Sequence, residues 1–237
     1  MDLFKIQQKV STAIDKAFEK AIDASKDFVA LMAMGDYNEL LKNIGDEPYV
    51  IDYSGDIRFD MHRSAFLCRY LNKNYREHGF NYDGDEGIDT LSIEMMMYTH
   101  IWESYYFLKS LVRLSQLAIG NSYQWDLKIP ETGKHGFMVD KVIRPLSDNR
   151  LSLSDVVRES YSSYLRNSFA HSLYKIDEER KEIYLGCDMN DKIGRIDRYL
   201  SFEKFQRKFY ESAFLSYYLN QRIVDYRNHF LSQSESR

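Results

Sequence analysis

The chain has 237 residues, a formal net charge of −4 and two cysteines, Cys68 and Cys187. Its length suffices for one substantial core, its acidic balance excludes a protein that coats nucleic acid non-specifically, and the cysteines supply neither a disulfide framework nor a zinc-ligand set. With no apolar run of about eighteen residues, no leader pattern at the N-terminus and no Gly/Ser-rich linker, the expectation is one cytoplasmic, all-α domain over 1–237, with no membrane partner.

In chain order the apolar period is overwhelmingly helical. Leu3, Ile6, Val10, Ile14, Ala17, Phe18, Ala21, Phe28 and Met32 recur at helical spacing, which predicts an amphipathic helix over 3–34 stopped by Gly35. Residues 49–59 read as a short hairpin or irregular connection, 61–75 as a helix and 81–89 as a polar loop. Asp83 to Glu94 has some calcium-loop spacing, but Gly87 takes a ligand position and Ile88 the turn-glycine position, so no calcium site is expected. A central helix is expected over 91–119, from Ile93, Met97, Ile101, Tyr105, Leu108, Leu111, Val112 and Leu117, closing at Gly120-Asn121. A loop carrying Pro130, Gly133 and Gly136 follows, with Lys134, Lys141 and Arg144 as a modest basic cluster suited to guiding an RNA strand. Residues 151–171 read as one helix capped by Ser152 or Ser154. The runs 174–177 and 182–185 flank a charged turn as a small β-hairpin, and Ser201 opens a last helix to about Phe230. The nineteen tyrosines read mainly as core and interface aromatics.

Within 151–171 lies the segment with chemistry. Arg166, Asn167 and His171 fall within one and a half helical turns: a permanent cation suited to phosphate, an amide able to orient an oxygen, and a group that titrates near neutrality. RNA supplies its own nucleophile, the 2′-OH, so a protein cutting it needs only to move protons and hold charge. Asn167 and His171 share a helix face. Arg166 and His171 stand about 140° apart, so the arginine must use its length or the helix must end near His171. The plain structural alternative is a histidine capping the helix C-terminus, where its charge suits the dipole. A second Arg-to-His spacing, Arg222 to His229, lacks any such context. His62 and His100 sit on apolar helices as structural histidines, and His135 lies in a loop.

The segment Tyr164-Leu165-Arg166-Asn167-Ser168-Phe169-Ala170-His171-Ser172-Leu173-Tyr174, followed by a charged hairpin and a helix opening Ser201-Phe202-Glu203, resembles the HEPN superfamily. The resemblance spans about residues 90–225, and takes in Trp102-Glu103-Ser104 and the Gly120-to-Trp125 turn. It implies an all-α HEPN-like helical bundle with a core over 88–231, to which 1–80 is a helical extension. It further implies a homodimer with facing motif helices and metal-independent endoribonuclease activity, as in toxins and phage-defence effectors, under control of an antitoxin or other regulatory protein. Arg166, Asn167 and His171 would be catalytic, Glu103, Tyr164 and Tyr174 supporting, and no cofactor is required. A non-catalytic module binding a protein partner or nucleotide remains the alternative, since the family contains both. One chain brings one His171, and a symmetric dimer would bring the second proton carrier.

Overall fold

The computed structural model describes residues 1–34, 88–186 and 198–235. The expected hairpin at 49–59, the helix at 61–75, His62 and both cysteines lie outside them. Described helices are α1 Leu3–Ala24, α2 Lys26–Met34, α3 Ile88–Glu103, α4 Tyr105–Ala118, α5 Lys134–Met138, α6 Arg144–Asp148, α7 Leu153–Ser160, α8 Ser163–Ala170 and α9 Phe202–Glu235, with a π-helical turn at Val139–Ile143 joining α5 to α6. Strands β1 Tyr174–Asp177, β2 Glu182–Leu185 and β3 Tyr199–Ser201 form one antiparallel sheet in that order. The molecule is thus mostly helical with a small sheet. No described helix is long and apolar enough to cross a membrane.

Three of the long helical stretches, 3–34, 91–119 and 151–171, are each broken, and at each break stands a serine. Ser25 leaves helical geometry after α1, and its hydroxyl accepts the Phe28 N–H at 3.3 Å. Ser104 is extended between α3 and α4 and accepts the Phe107 N–H at 3.0 Å. Ser162 is extended between α7 and α8 and accepts the Leu165 N–H at 3.3 Å. A serine hydroxyl satisfies one of the donors that a helix start leaves unpaired, so each stretch runs as two helices where its period suggests one. Ser152 stands before α7 but gives no side-chain cap, and Ser154 is buried inside the helix. The polar loop ends earlier than expected, since α3 already begins at Ile88.

The α7–α8 break has a further support. Tyr98, fully buried on α3, donates its hydroxyl hydrogen to the Ser160 carbonyl at 2.9 Å and accepts the Ser162 N–H at 2.9 Å. One phenol thus replaces bonds that a continuous helix would have made. Tyr98→Phe strands both backbone groups and is expected to cost about 1–3 kcal/mol, read as a lower urea midpoint; an unchanged midpoint would show that water or a backbone shift satisfies them.

Helix α4 stops as expected at Gly120. With φ at 82° it suits a residue lacking Cβ, and the Asn121 N–H to Gln116 carbonyl and Gly120 N–H to Leu117 carbonyl bonds, both 3.0 Å, close a Schellman motif. The hairpin also forms where expected, pairing Tyr174 with Leu185 and Asp177 with Glu182. Strand β3 extends it, pairing Leu200 with Ile183. Ser201 then caps α9 by accepting the Lys204 N–H at 3.4 Å.

Helix α9 is the spine, packing against α1, α2, α3 and α7, while α1 also packs on α4 and α7. Val10, Ile14, Trp102, Leu111, Phe205, Phe209 and Leu215 are buried in one continuous core, and the Trp102 indole donates to the Ser212 hydroxyl at 2.9 Å. Glu94 is buried too, accepting from the Tyr210 hydroxyl at 3.3 Å. On the rim, Lys9 of α1 binds Glu159 of α7 at 2.7 Å and buried Glu211 of α9 at 3.3 Å, and Arg207 binds both carboxylates. Partial burial favours the protonated Glu159 carboxyl, but Lys9 and Arg207 outweigh it and hold the group below its ordinary range. A carboxyl depressed on folding stabilises above its unfolded value and loses that contribution as pH falls. Stability should therefore decline as pH drops below about 4.3, and Glu159→Gln should flatten that decline in denaturation midpoints measured against pH.

Candidate functional site

Two of the helix breaks meet. The first leaves Glu103 as the last residue of α3, where a negative charge faces the negative end of the helix dipole. The second lets α8 start afresh beside it, and Arg166 lies one turn into α8. Arg166 Nε binds Glu103 Oε1 at 3.0 Å, and the Lys134 ammonium, from the first residue of α5, binds Glu103 Oε2. Two cations therefore hold one carboxylate. Arg166 Nε and Nη2 also donate to Asn167 Oδ1 at 3.1 and 2.7 Å. Arg166 and Lys134 are 12% and 13% exposed against 35% for Glu103, so the guanidinium is fixed inside the protein surface rather than displayed on it. Its Nη1 is buried with no hydrogen-bond partner.

The sequence-based residues divide accordingly. Arg166, Asn167 and Glu103 are brought together. Asn167 spends its side-chain oxygen on Arg166, and only its main-chain carbonyl meets His171, accepting the His171 N–H at 3.1 Å. His171 is the C-cap of α8, at φ −101° and ψ 7°, with its side chain exposed. The helix thus ends at Ala170, which relieves the angular mismatch between Arg166 and His171. Tyr164 donates to the Leu185 carbonyl at 3.3 Å, and Tyr174 meets Phe169 edge-to-face at 5.5 Å; both tie the sheet to α8. Of the basic cluster, Lys134 is committed to Glu103 and Arg144 pairs with Asp140 at 3.2 Å, while the Lys141 side chain is exposed.

Tyr161 and His135 complete the surroundings. Tyr161, at the break before α8, is buried against Trp102 with ring centroids 4.8 Å apart, and its hydroxyl has no hydrogen-bond partner. Burial pushes its phenol above the ordinary range, Arg166 opposing and Glu103 adding to the shift. The exposed His135 ring stacks on it at 6.1 Å and 17°. Periodicity could not single out Tyr161, because it appears as one more apolar position of an unbroken helix. Among the described residues no three His, Cys, Asp or Glu side chains gather as a metal site.

Comparison with known protein families, with curated proteins and with solved structures finds no match to this chain.

Proposed function

We propose that this is a HEPN-like, metal-independent endoribonuclease in which His171 moves the proton and Arg166 stabilises charge on the phosphorane. The observation that carries the reading is the placement of an exposed imidazole at the end of α8, one turn beyond an arginine held rigidly by Glu103 and Asn167 with one guanidinium nitrogen unpartnered. Arginine bound on one side by protein acceptors is preorganised, and its remaining donors suit a phosphate. Because Nη1 is buried, an oxygen reaches it only when the residues around the guanidinium move aside. The second proton carrier is His171 of a second copy, which makes the active form a homodimer. Toxin or phage-defence action under a regulatory protein, in the cytoplasm, is the setting this chemistry suits.

With the RNA 2′-OH as nucleophile, the products are a 2′,3′-cyclic phosphate and a 5′-hydroxyl. Purified protein is expected to cut mixed RNA in chelator, to spare DNA and 2′-O-methyl RNA, and to leave those ends in mass spectrometry. 5′-Phosphate ends, or activity only with added magnesium, would refute the assignment. Light scattering tests the dimer: a strict monomer at every concentration would remove the composite site.

The buried clamp also favours a second reading. If Arg166, Glu103 and Lys134 serve only to pin α5 to α3 and α8, the protein is a non-catalytic module that binds a protein partner or a nucleotide, and His171 is a helix cap. Absence of cleavage by the intact dimer would select it.

A further inference from the structure

The sheet that follows His171 has two unlike faces. Ile176, Ile183 and Leu200 pair across the three strands, and with Tyr174 and Leu185 they turn toward the core. Side chains alternate along a strand, so the other face carries Lys175, Tyr184 and Tyr199, which the register places in one row: Lys175 opposite Tyr184, and Tyr184 opposite Tyr199. The two tyrosine rings lie 5.3 Å apart at 54°. Tyr199 is 56% exposed and Leu173, two residues before Lys175 on the same face, is 46% exposed. Opposite Leu173 stands Gly186, whose N–H donates to the Leu173 carbonyl at 2.7 Å, so no side chain rises there.

Charge is ordered along this face. The row farther from His171 is Asp177, Glu182 and Ser201, where Asp177 pairs with Arg180 at 3.9 Å and Glu182 adds a second carboxylate; the nearer one carries Lys175. An extended strand of phosphates would be repelled at Glu182 and drawn to Lys175. Aromatic rings on a sheet accept unpaired bases by stacking, with cations beside them for the backbone.

We propose that the Leu173, Lys175, Tyr184 and Tyr199 face is a binding platform for single-stranded RNA, which seats bases next to the phosphate presented to His171. The occupant is single-stranded because stacking needs unpaired bases, and because a duplex offers this small sheet only its backbone. The inference rests on the nuclease reading for its biological purpose, though not for its test.

The probe is a fluorescein-labelled, fully 2′-O-methylated single strand of about twelve nucleotides, which cannot be cut, measured by anisotropy on the full chain. Tyr184→Ala with Tyr199→Ala is expected to raise Kd at least about tenfold. Tyr184→Phe with Tyr199→Phe keeps the rings and should bind within about twofold of the parent. Lys175→Glu should weaken binding and flatten its salt dependence. Equal affinity of all variants, or no binding by the parent, overturns the platform, as does a Phe pair as weak as the Ala pair, or a tyrosine-dependent protein partner with RNA binding unchanged. Tyrosine-dependent binding by a parent that leaves unmodified RNA intact would sink the nuclease reading and leave the platform standing. Cleavage that persists with the Ala pair at unchanged KM would do the reverse.

Discussion

His171→Ala is expected to abolish RNA cleavage while leaving the fold almost untouched. The side chain is exposed and its only described bond runs through its backbone N–H, which alanine keeps. Surface substitutions of this kind shift stability within about 0.5 kcal/mol, or roughly 1–2 °C for a chain of this size. Loss of a positioned acid or base typically costs about 10²–10⁴ in rate, and in the proposed dimer both proton transfers would be affected. With one group acting as base and another as acid in the proposed reaction, the parent should show a bell-shaped pH–rate profile. Single-turnover rates on a defined RNA, with thermal melts alongside, decide it. Residual activity near the parent level would exclude His171 from the chemistry. Unfolding of the variant would instead mark it as a necessary cap.

Glu103→Ala is expected to have the largest effect on stability of the site substitutions. It leaves the Lys134 and Arg166 cations side by side without their shared carboxylate, at the C-terminal end of α3. Breaking a fully buried pair costs about 3–5 kcal/mol, and because Glu103 is about one-third exposed the expected loss is nearer 2 kcal/mol, or roughly 4–8 °C. Arg166→Ala should also destabilise, by about 1 kcal/mol. A surface arginine would have been dispensable; this one is not at the surface. The Glu103→Ala, Arg166→Ala double variant should lose less than the two singles summed, since the second change removes a charge that the first left stranded. Strict additivity in urea denaturation would mean that the contact contributes nothing and that Lys134 alone neutralises Glu103.

What was legible in the sequence follows the range of the interaction concerned. The Gly120 stop and the Tyr174–Leu185 hairpin are set by neighbours within a few residues, and both form where expected. The breaks at Ser25, Ser104 and Ser162 were not legible, because a serine fits a helix interior and an N-cap alike and the apolar period runs on through each. Deciding them takes a distant partner, as Tyr98 is for Ser162. Strand β3 is not legible, because its partner β2 lies across residues 187–197 and its three residues carry no pattern of their own. The Arg166, Asn167 and His171 constellation was visible as a motif. Its clamp was not: by sequence Lys134 is a strand-guiding cation in a loop, whereas it heads the short helix α5 and binds Glu103.

Tyr98 and Glu103 stand on the same helix, five positions apart, and between them they govern α8 twice over. Tyr98 fixes where α8 begins through the Ser162 N–H, and Glu103 fixes the arginine one turn in. A small slide or rotation of α3 therefore carries the start of α8 and the anchor of Arg166 along together, so the spacing between them is buffered against drift of the bundle. Mutations that repack α3 elsewhere should be tolerated by the site as long as those two residues keep their mutual register. An insertion between them would change that spacing, and would misalign the arginine even if every helix still formed.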